Sequence, residues 1–219
     1  MRDAEIYRVL MDGRWSLQDL YDFPHSLSQT YAFAYCFDST LSPQDAERIN
    51  LALREYPWGG GYSIVNIFTV LQNQVPPKQR PKITSIQYAS PGWIDLLLNL
   101  DPIVTVASSV AAIAGSMAIT TKSYEAIQKA LHNIRINKAE TKAKIAIARK
   151  REVEALSALC NDLSRQIGFN GFHGLVSRTG GNVEVAAKLL CAYYRRLKIV
   201  AEYEKNGKAY LPQKNRIKN

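Results

Sequence analysis

His25, His132 and His173, with Cys36, Cys160 and Cys191, are the side chains from which a metal centre or a nucleophile–base pair would have to be built. Their spacing suits neither. No two histidines stand at i, i+4, and none pairs with a cysteine at the short intervals a zinc site uses. A phosphate loop needs Gly-Lys-Ser/Thr, so that the lysine reaches the phosphates and the hydroxyl reaches magnesium. Gly59-Gly60-Gly61 runs into Tyr62 instead, and it follows a Pro-Trp turn rather than a strand. No Gly-x-Ser-x-Gly elbow is present. Asp19, Asp22, Asp38 and Asp95 could supply paired carboxylates for acid–base work, but aspartate at caps and turns is ordinarily structural. No catalytic residue, metal site or cofactor is therefore expected, and the chain reads as non-enzymatic.

Composition narrows the class. Hydrophobic residues make up 47% of the 219 and charged residues 21%, a globular mix that excludes a wholly disordered chain. Three widely separated cysteines exclude a disulfide-framed secreted module. Met1-Arg2-Asp3 leads into a mixed polar stretch, without the basic and then apolar run of a signal peptide, so a cytoplasmic location is expected, with membrane association as the alternative.

Charge is divided unevenly. Residues 1–100 hold 8 Lys/Arg against 10 Asp/Glu, a net of −2, whereas residues 101–219 hold 20 against 9, a net of +11. Residues 122–151 alone carry nine basic side chains against Glu125 and Glu140. Such a block attracts polyanions, so Lys138, Lys142, Lys144, Arg149, Lys150 and Arg151 are candidate contacts to nucleic acid, an anionic membrane surface or an acidic partner. A solvated helix face is the plain alternative.

The elements that must position these residues fall into two halves. Glu5 to Met11 alternates as a strand and ends at the turn signal Asp12-Gly13. Ser16 with Asp19 forms a capping pattern for a helical run that Phe23-Pro24 should interrupt, followed by an aromatic-rich buried helix from His25 to Phe37. Ser42-Pro43, with Asp45 and Glu47, starts a helix that should end near Tyr56-Pro57. Tyr62 to Gln74 has helical apolar spacing. Lys82–Tyr88 and Trp93–Leu98 read as strands around a turn at Pro91-Gly92. Residues 1–100 are thus expected to form an α+β head with a small three-stranded sheet. Its aromatics Trp15, Trp58, Tyr62, Tyr88 and Trp93 lie in the acidic half, which suits core packing or a protein interface better than base stacking.

Residues 101–205 should form a predominantly helical domain, and the basic residues 206–219 a mobile tail. Pro102 to Thr121 carries no formal charge, is long enough to span a bilayer, and lacks Leu and Phe. Small residues at Ala111 and Gly115 would allow close helix–helix approach. A longer helix should run from about Ser123 to Ile167. Its positions 127, 131, 134, 138, 141, 145 and 148 step like a coiled-coil seam, and Leu156, Leu159 and Leu163 continue it after a phase shift. With Ala111 and Gly115, the apolar members Ile127, Leu131, Ile134, Ile145, Leu156, Leu159 and Leu163 are candidates for self-association. Gly168 to Gly174 should end that helix.

Gly180 to Leu190 and Tyr193 to Lys198 resemble a helix-turn-helix of the Fis type. Only Cys191-Ala192 separates the two parts, too few residues for the turn, so one helix from Asn182 to about Glu204 is expected.

Trp15-Ser-Leu-Gln-Asp-Leu-Tyr-Asp-Phe-Pro24, Gly61-Tyr-Ser-Ile-Val-Asn66, Ser85-Ile-Gln-Tyr-Ala-Ser-Pro-Gly92 and Gly207-Lys-Ala209 resemble stretches of a loose family of uncharacterised bacterial proteins. The resemblance implies a small α+β head, a hinge and a long helix, and it brings no activity or ligand. The residues together point to a non-enzymatic interaction and oligomerisation protein, whose partner would be a second copy or another helical protein. Nucleic-acid binding by the basic helix and membrane insertion of residues 102–121 are the alternatives.

Overall fold

Alternation in the first strand sends Tyr7, Val9 and Met11 inward and Ile6, Arg8 and Leu10 outward. In the computed structural model, which describes residues 4–38, 40–58, 63–140, 145–169 and 171–213, these residues form β1 (Glu5–Met11). There follow α1 (Leu17–Cys36), α2 (Pro43–Glu55), α3 (Ser63–Gln74), β2 (Lys82–Gln87), β3 (Gly92–Leu98), α4 (Leu100–Glu140), α5 (Ile145–Gln166), α6 (Phe172–Arg178), α7 (Val183–Lys205) and β4 (Ala209–Tyr210). The fold is α+β: a small antiparallel sheet of order β2-β3-β1-β4, interleaved with short helices, then a mostly helical region.

Local signals set several boundaries. Ser16 and Asp19 make a full capping box on α1: the Ser16 side chain accepts from the Asp19 amide at 3.1 Å, and Asp19 accepts from the Ser16 amide at 2.7 Å. Ser42 caps α2 with Pro43 in its first turn, and Asn182 caps α7. The expected interruption at Phe23-Pro24 does not occur, because α1 continues through Pro24. An interior proline costs about 3 kcal/mol or more. Burial of Phe23 and Leu27 on either side of it anchors both halves, at roughly 1.5–3 kcal/mol per large apolar side chain.

The second half departs further from expectation. The uncharged segment and the first part of the basic block form a single helix, α4, kinked at Ser116 (φ −134°, ψ 29°). A Gly-Ser pair is a common site for such a kink, and here Ser116 Oγ donates to the Ala112 carbonyl at 2.6 Å. The helix expected to continue to Ile167 is two helices, with α5 running back to pack against α4. The second of these ends at Gln166, with Gly168 at φ 67° just beyond it as the glycine-rich stretch implied, and the short α6 then starts at Phe172. Gly180 to Lys198 has no internal break, and α7 is one helix whose buried residues include Ala186, Leu189, Leu190, Tyr193, Tyr194 and Leu197. It packs on α1, α3, α4, α5 and α6.

One hydrophobic cluster joins residues on both sides of position 100. Phe33 of α1 stacks on Tyr193 of α7 with centroids 3.9 Å apart, and Phe169 meets both rings edge-on. Residues 208–212 bond to β1 and to the turn after it. Leu10 and Met11 pair with Tyr210 and Ala209, Asp12 donates its amide to the Lys208 carbonyl, and Tyr7 Oη donates to the Pro212 carbonyl at 2.8 Å. Residues 214–219 lie outside the described residues.

Candidate functional site

β2 pairs on one side only, with β3, and all six of its residues are exposed. Ile83 and Ile86 are three apart and would face opposite sides of a regular strand. A register shift between Ile83 and Ser85 puts both on the inner side, opposite Leu96 and Ile94. They are each 51% exposed there, beyond the reach of the covering helices.

Beneath this edge lies an apolar cavity of about 190 Å³. Val9, Ile94, Leu96 and Leu98 line it from the sheet, Phe23, Leu27 and Tyr31 from α1, and Ile103 from α4. Pro24, Ser28, Pro81 and Ile83 complete the lining. Leu17, Tyr21, Pro24 and Ser28 recur at the spacing of one face of α1, and Leu17 and Tyr21 are 87% and 61% exposed. Tyr88, just beyond β2, accepts a hydrogen bond from the Trp15 amide at 3.4 Å. An unpaired strand edge, an exposed apolar stripe on α1 and a cavity that both elements line are thus side by side.

The outer face of the sheet is also uncovered. Arg8 holds Asp95 through two hydrogen bonds of 2.7 and 2.9 Å, Ser85 Oγ donates to the same carboxylate, and the guanidinium lies 4.6 Å over the Trp93 ring. The Arg8 hydrogen bonds hold the Asp95 carboxyl below its ordinary pKa, and Ser85 adds to this. This pair fixes the β1–β3 register from outside.

Among the described residues no nucleophile is assembled. All three thiols are buried. Burial pushes Cys36 up to about 12 and Cys191 up to about 11, and Cys160 is raised in the same way. His25 stacks on Tyr21 and meets the Gln29 side chain within α1, while His132 and His173 stand on α4 and α6. Asp19 belongs to the α1 cap, Asp22 accepts from Gln18, Asp38 accepts from Thr40, and Asp95 is bound to Arg8. Among the described residues no group of three His, Cys, Asp or Glu side chains could hold a metal ion. A polar cleft of about 740 Å³ between α1, α2 and the start of α4 contains Asp45 and Arg48. Its Asp45 is engaged by Ser42 and Arg48.

The candidate polyanion residues fall near the end of α4, near the start of α5 and between the two. Lys150 and Arg151 are exposed in the first two turns of α5. Lys138 and Arg149 are placed by their backbone only, and Lys142 and Lys144 lie outside the described residues. Of the self-association residues, Ile127, Ile134, Leu156 and Leu163 are buried in the core of this same chain, with Leu131 and Leu159 packed against it. The side chain of Ile145 lies outside the description. Ala111 is half-buried, and Gly115 is exposed with open space where a Cβ would project. α4 contains a stretch long and apolar enough to cross a membrane, with mean hydropathy 1.8 and 39% of it buried in the protein. Ile103, Val106, Ala107, Val110 and Ile113 on its inner face are fully buried.

The sequence reading missed Ile83 and Ile86 as surface residues because their spacing has meaning only with the bulge. Pro24, expected to interrupt α1, lines the cavity with Pro81. Comparison of the chain with protein-family models, characterised proteins and solved structures found no match.

Proposed function

We propose that the protein is a non-enzymatic interaction protein whose head recognises an extended segment of a partner protein by adding it as a strand to β2. The observation that carries this reading is the free β2 edge beside the apolar cavity. Strand addition takes its affinity from main-chain hydrogen bonds and its specificity from pockets that accept alternate side chains. The unpaired groups of β2 offer the first, and the cavity with half-exposed Ile83 and Ile86 offers the second. Natural sheets ordinarily protect such an edge with charge, proline or a covering element. β2 carries one charged side chain, Lys82.

Charge narrows the partner. Lys78, Arg80 and Lys82 are exposed on the approach to the edge, and no acidic residue occurs between positions 78 and 88. The segment recognised is therefore one with alternating large apolar residues and acidic flanks. The basic helical region adds long-range attraction to the same acidic partner.

The test is a selection of displayed peptides on the full-length chain, followed by hydrogen exchange of the β2 amides with the selected peptide bound. Expected are alternating, acid-flanked sequences that slow exchange across Lys82–Gln87. A selection that yields no binder, or binders that protect α5 and leave β2 unchanged, removes the proposal.

A further inference from the structure

Arg54 stands in the last turn of α2 and Arg178 ends α6, 124 positions apart in sequence, yet both line one cleft of about 540 Å³. Asn50, Trp58, Ser177, Thr179 and Gly180 line it too, and none of these described residues is acidic. Glu55 and Glu184, the acidic neighbours in sequence, do not line it. Trp58, just beyond α2, and Gly180, followed by Gly181, come from opposite sides of the cleft. The latter two take positive φ, 66° and 77°, which turns the chain sharply from α6 into α7.

The arginines are only partly engaged. Arg178 is half-buried, donates from Nη1 to the Cys36 carbonyl and lies 5.1 Å over the Phe37 ring. Among the described residues no carboxylate bonds it, and burial lowers its pKa. A guanidinium stays protonated in proteins and presents five N–H donors in a planar fork, so most of the Arg178 donors remain for a ligand. Arg54 is exposed and can swing onto the same ligand. Ser177 adds an exposed hydroxyl. Thr179 does not add a donor, because its hydroxyl bonds the Leu175 and Val176 carbonyls.

Trp58 forms another wall. Its indole N–H is fixed by the Leu53 carbonyl at 2.9 Å, and its ring packs edge-on against Tyr56, so its orientation is set before any ligand arrives. A guanidinium fork bonds phosphate bidentately, and the three oxygens of a phosphoryl group leave acceptors for a second arginine, while a held indole is a platform for a planar ring. The volume lies within the range of small-ligand pockets.

We infer that this cleft binds a small phosphate-bearing ligand with a planar ring, of nucleotide size. The site is separate from the β2 edge and does not depend on the function proposed for it.

Isothermal titration of the full-length protein with AMP, adenosine and inorganic phosphate tests the inference. AMP should bind, and adenosine should bind on the order of tenfold more weakly or worse, because the charged hydrogen bonds are lost. Arg54→Gln alters an exposed side chain and should weaken AMP by a similar factor without changing the fold. Arg178→Gln should do the same, with Arg54→Gln carrying the result if the loss of the Cys36 contact unfolds it. Lys150→Gln, on the exposed basic face of α5, should leave AMP binding unchanged. Absence of heat for AMP with folded protein overturns the inference, as does adenosine binding as tightly as AMP. Equal weakening by Arg54→Gln and Lys150→Gln also overturns it, since that would mean diffuse attraction to a basic surface.

Discussion

Lys208 Nζ lies 2.9 Å from Asp19 Oδ2, closing an ion pair between residues 189 positions apart. The same carboxylate accepts from the Ser16 amide at 2.7 Å, from Ser16 Oγ at 2.9 Å and from Tyr203 Oη at 3.1 Å. One aspartate therefore caps α1 and fastens the end of α7 to it.

That carboxylate gives a signed pH prediction. The Ser16 amide bond, then the Lys208 bond, hold the Asp19 carboxyl far below its ordinary value of 3.8. A depressed carboxyl contributes stability that is present above the unfolded pKa and is lost as pH falls through the folded one. Asp19→Asn should lower stability at neutral pH by about 1–2 kcal/mol, the range for a lost cap. The gap between the two proteins should narrow as pH drops below about 4. Thermal melts of both across that window check it, and a gap that widens on acidification would contradict the assignment.

The Phe33–Tyr193 stack should be the costliest point to disturb. Phe33 is fully buried and also meets Phe37, Phe68 and Phe169. Phe33→Ala should lose about 3–5 kcal/mol, and Phe33→Leu less, by urea denaturation of each variant.

Filling the cavity should work in the opposite direction. Leu27 lines it from α1. Leu27→Phe places ring atoms in empty space and should gain about 0.5–2 kcal/mol, the usual yield of cavity filling. Benzene should raise the melting temperature of the wild-type protein, because a dry apolar void of comparable size takes up such molecules. The variant should respond less.

At the β2 edge, function and stability should separate. Ile86 is half-exposed, so Ile86→Lys should change stability by no more than about 0.5 kcal/mol. The same substitution should abolish binding of peptides selected on the wild-type chain, measured by fluorescence anisotropy.

Thiol chemistry offers a further check. With Cys36 pushed to about 12 and Cys191 to about 11 by burial, almost no thiolate exists near neutral pH. Iodoacetamide should leave the native protein unmodified for hours and label Cys36, Cys160 and Cys191 on addition of denaturant, read by intact mass. Rapid native labelling of any of them would show an accessible, activated cysteine.

Elements built from local signals were legible. β1 spans the residues whose alternation marks it, α2 starts after Ser42, and α7 starts after Asn182, since caps and period-two patterns act over a few residues. The break between Glu140 and Ile145 was not, because no glycine or proline occurs between positions 116 and 167. The seam of Ile127, Ile134, Leu156 and Leu163 announced a helical partner but not its identity, and the partner these residues meet is the rest of the same core. β4 has two residues and no pattern of its own; the clamp on Asp19 places it. Of the candidate sites, the β2 edge needed the bulge, and the arginine cleft needed α2 and α6 brought together.

The pairing of Leu10 and Met11 with Tyr210 and Ala209 also sets an order of events during synthesis. Domains generally fold as units while the ribosome releases the chain from its N-terminal end. β1 precedes every other element of the fold, and one of its two neighbours in the sheet is about 200 residues behind it. The head must wait with that edge of β1 open until the strap from Lys208 to Pro212 emerges. Such long-range closure is intrinsically slow, so the Leu10–Met11 end of β1 stays unsealed on that side through the synthesis of every helix from α1 to α7.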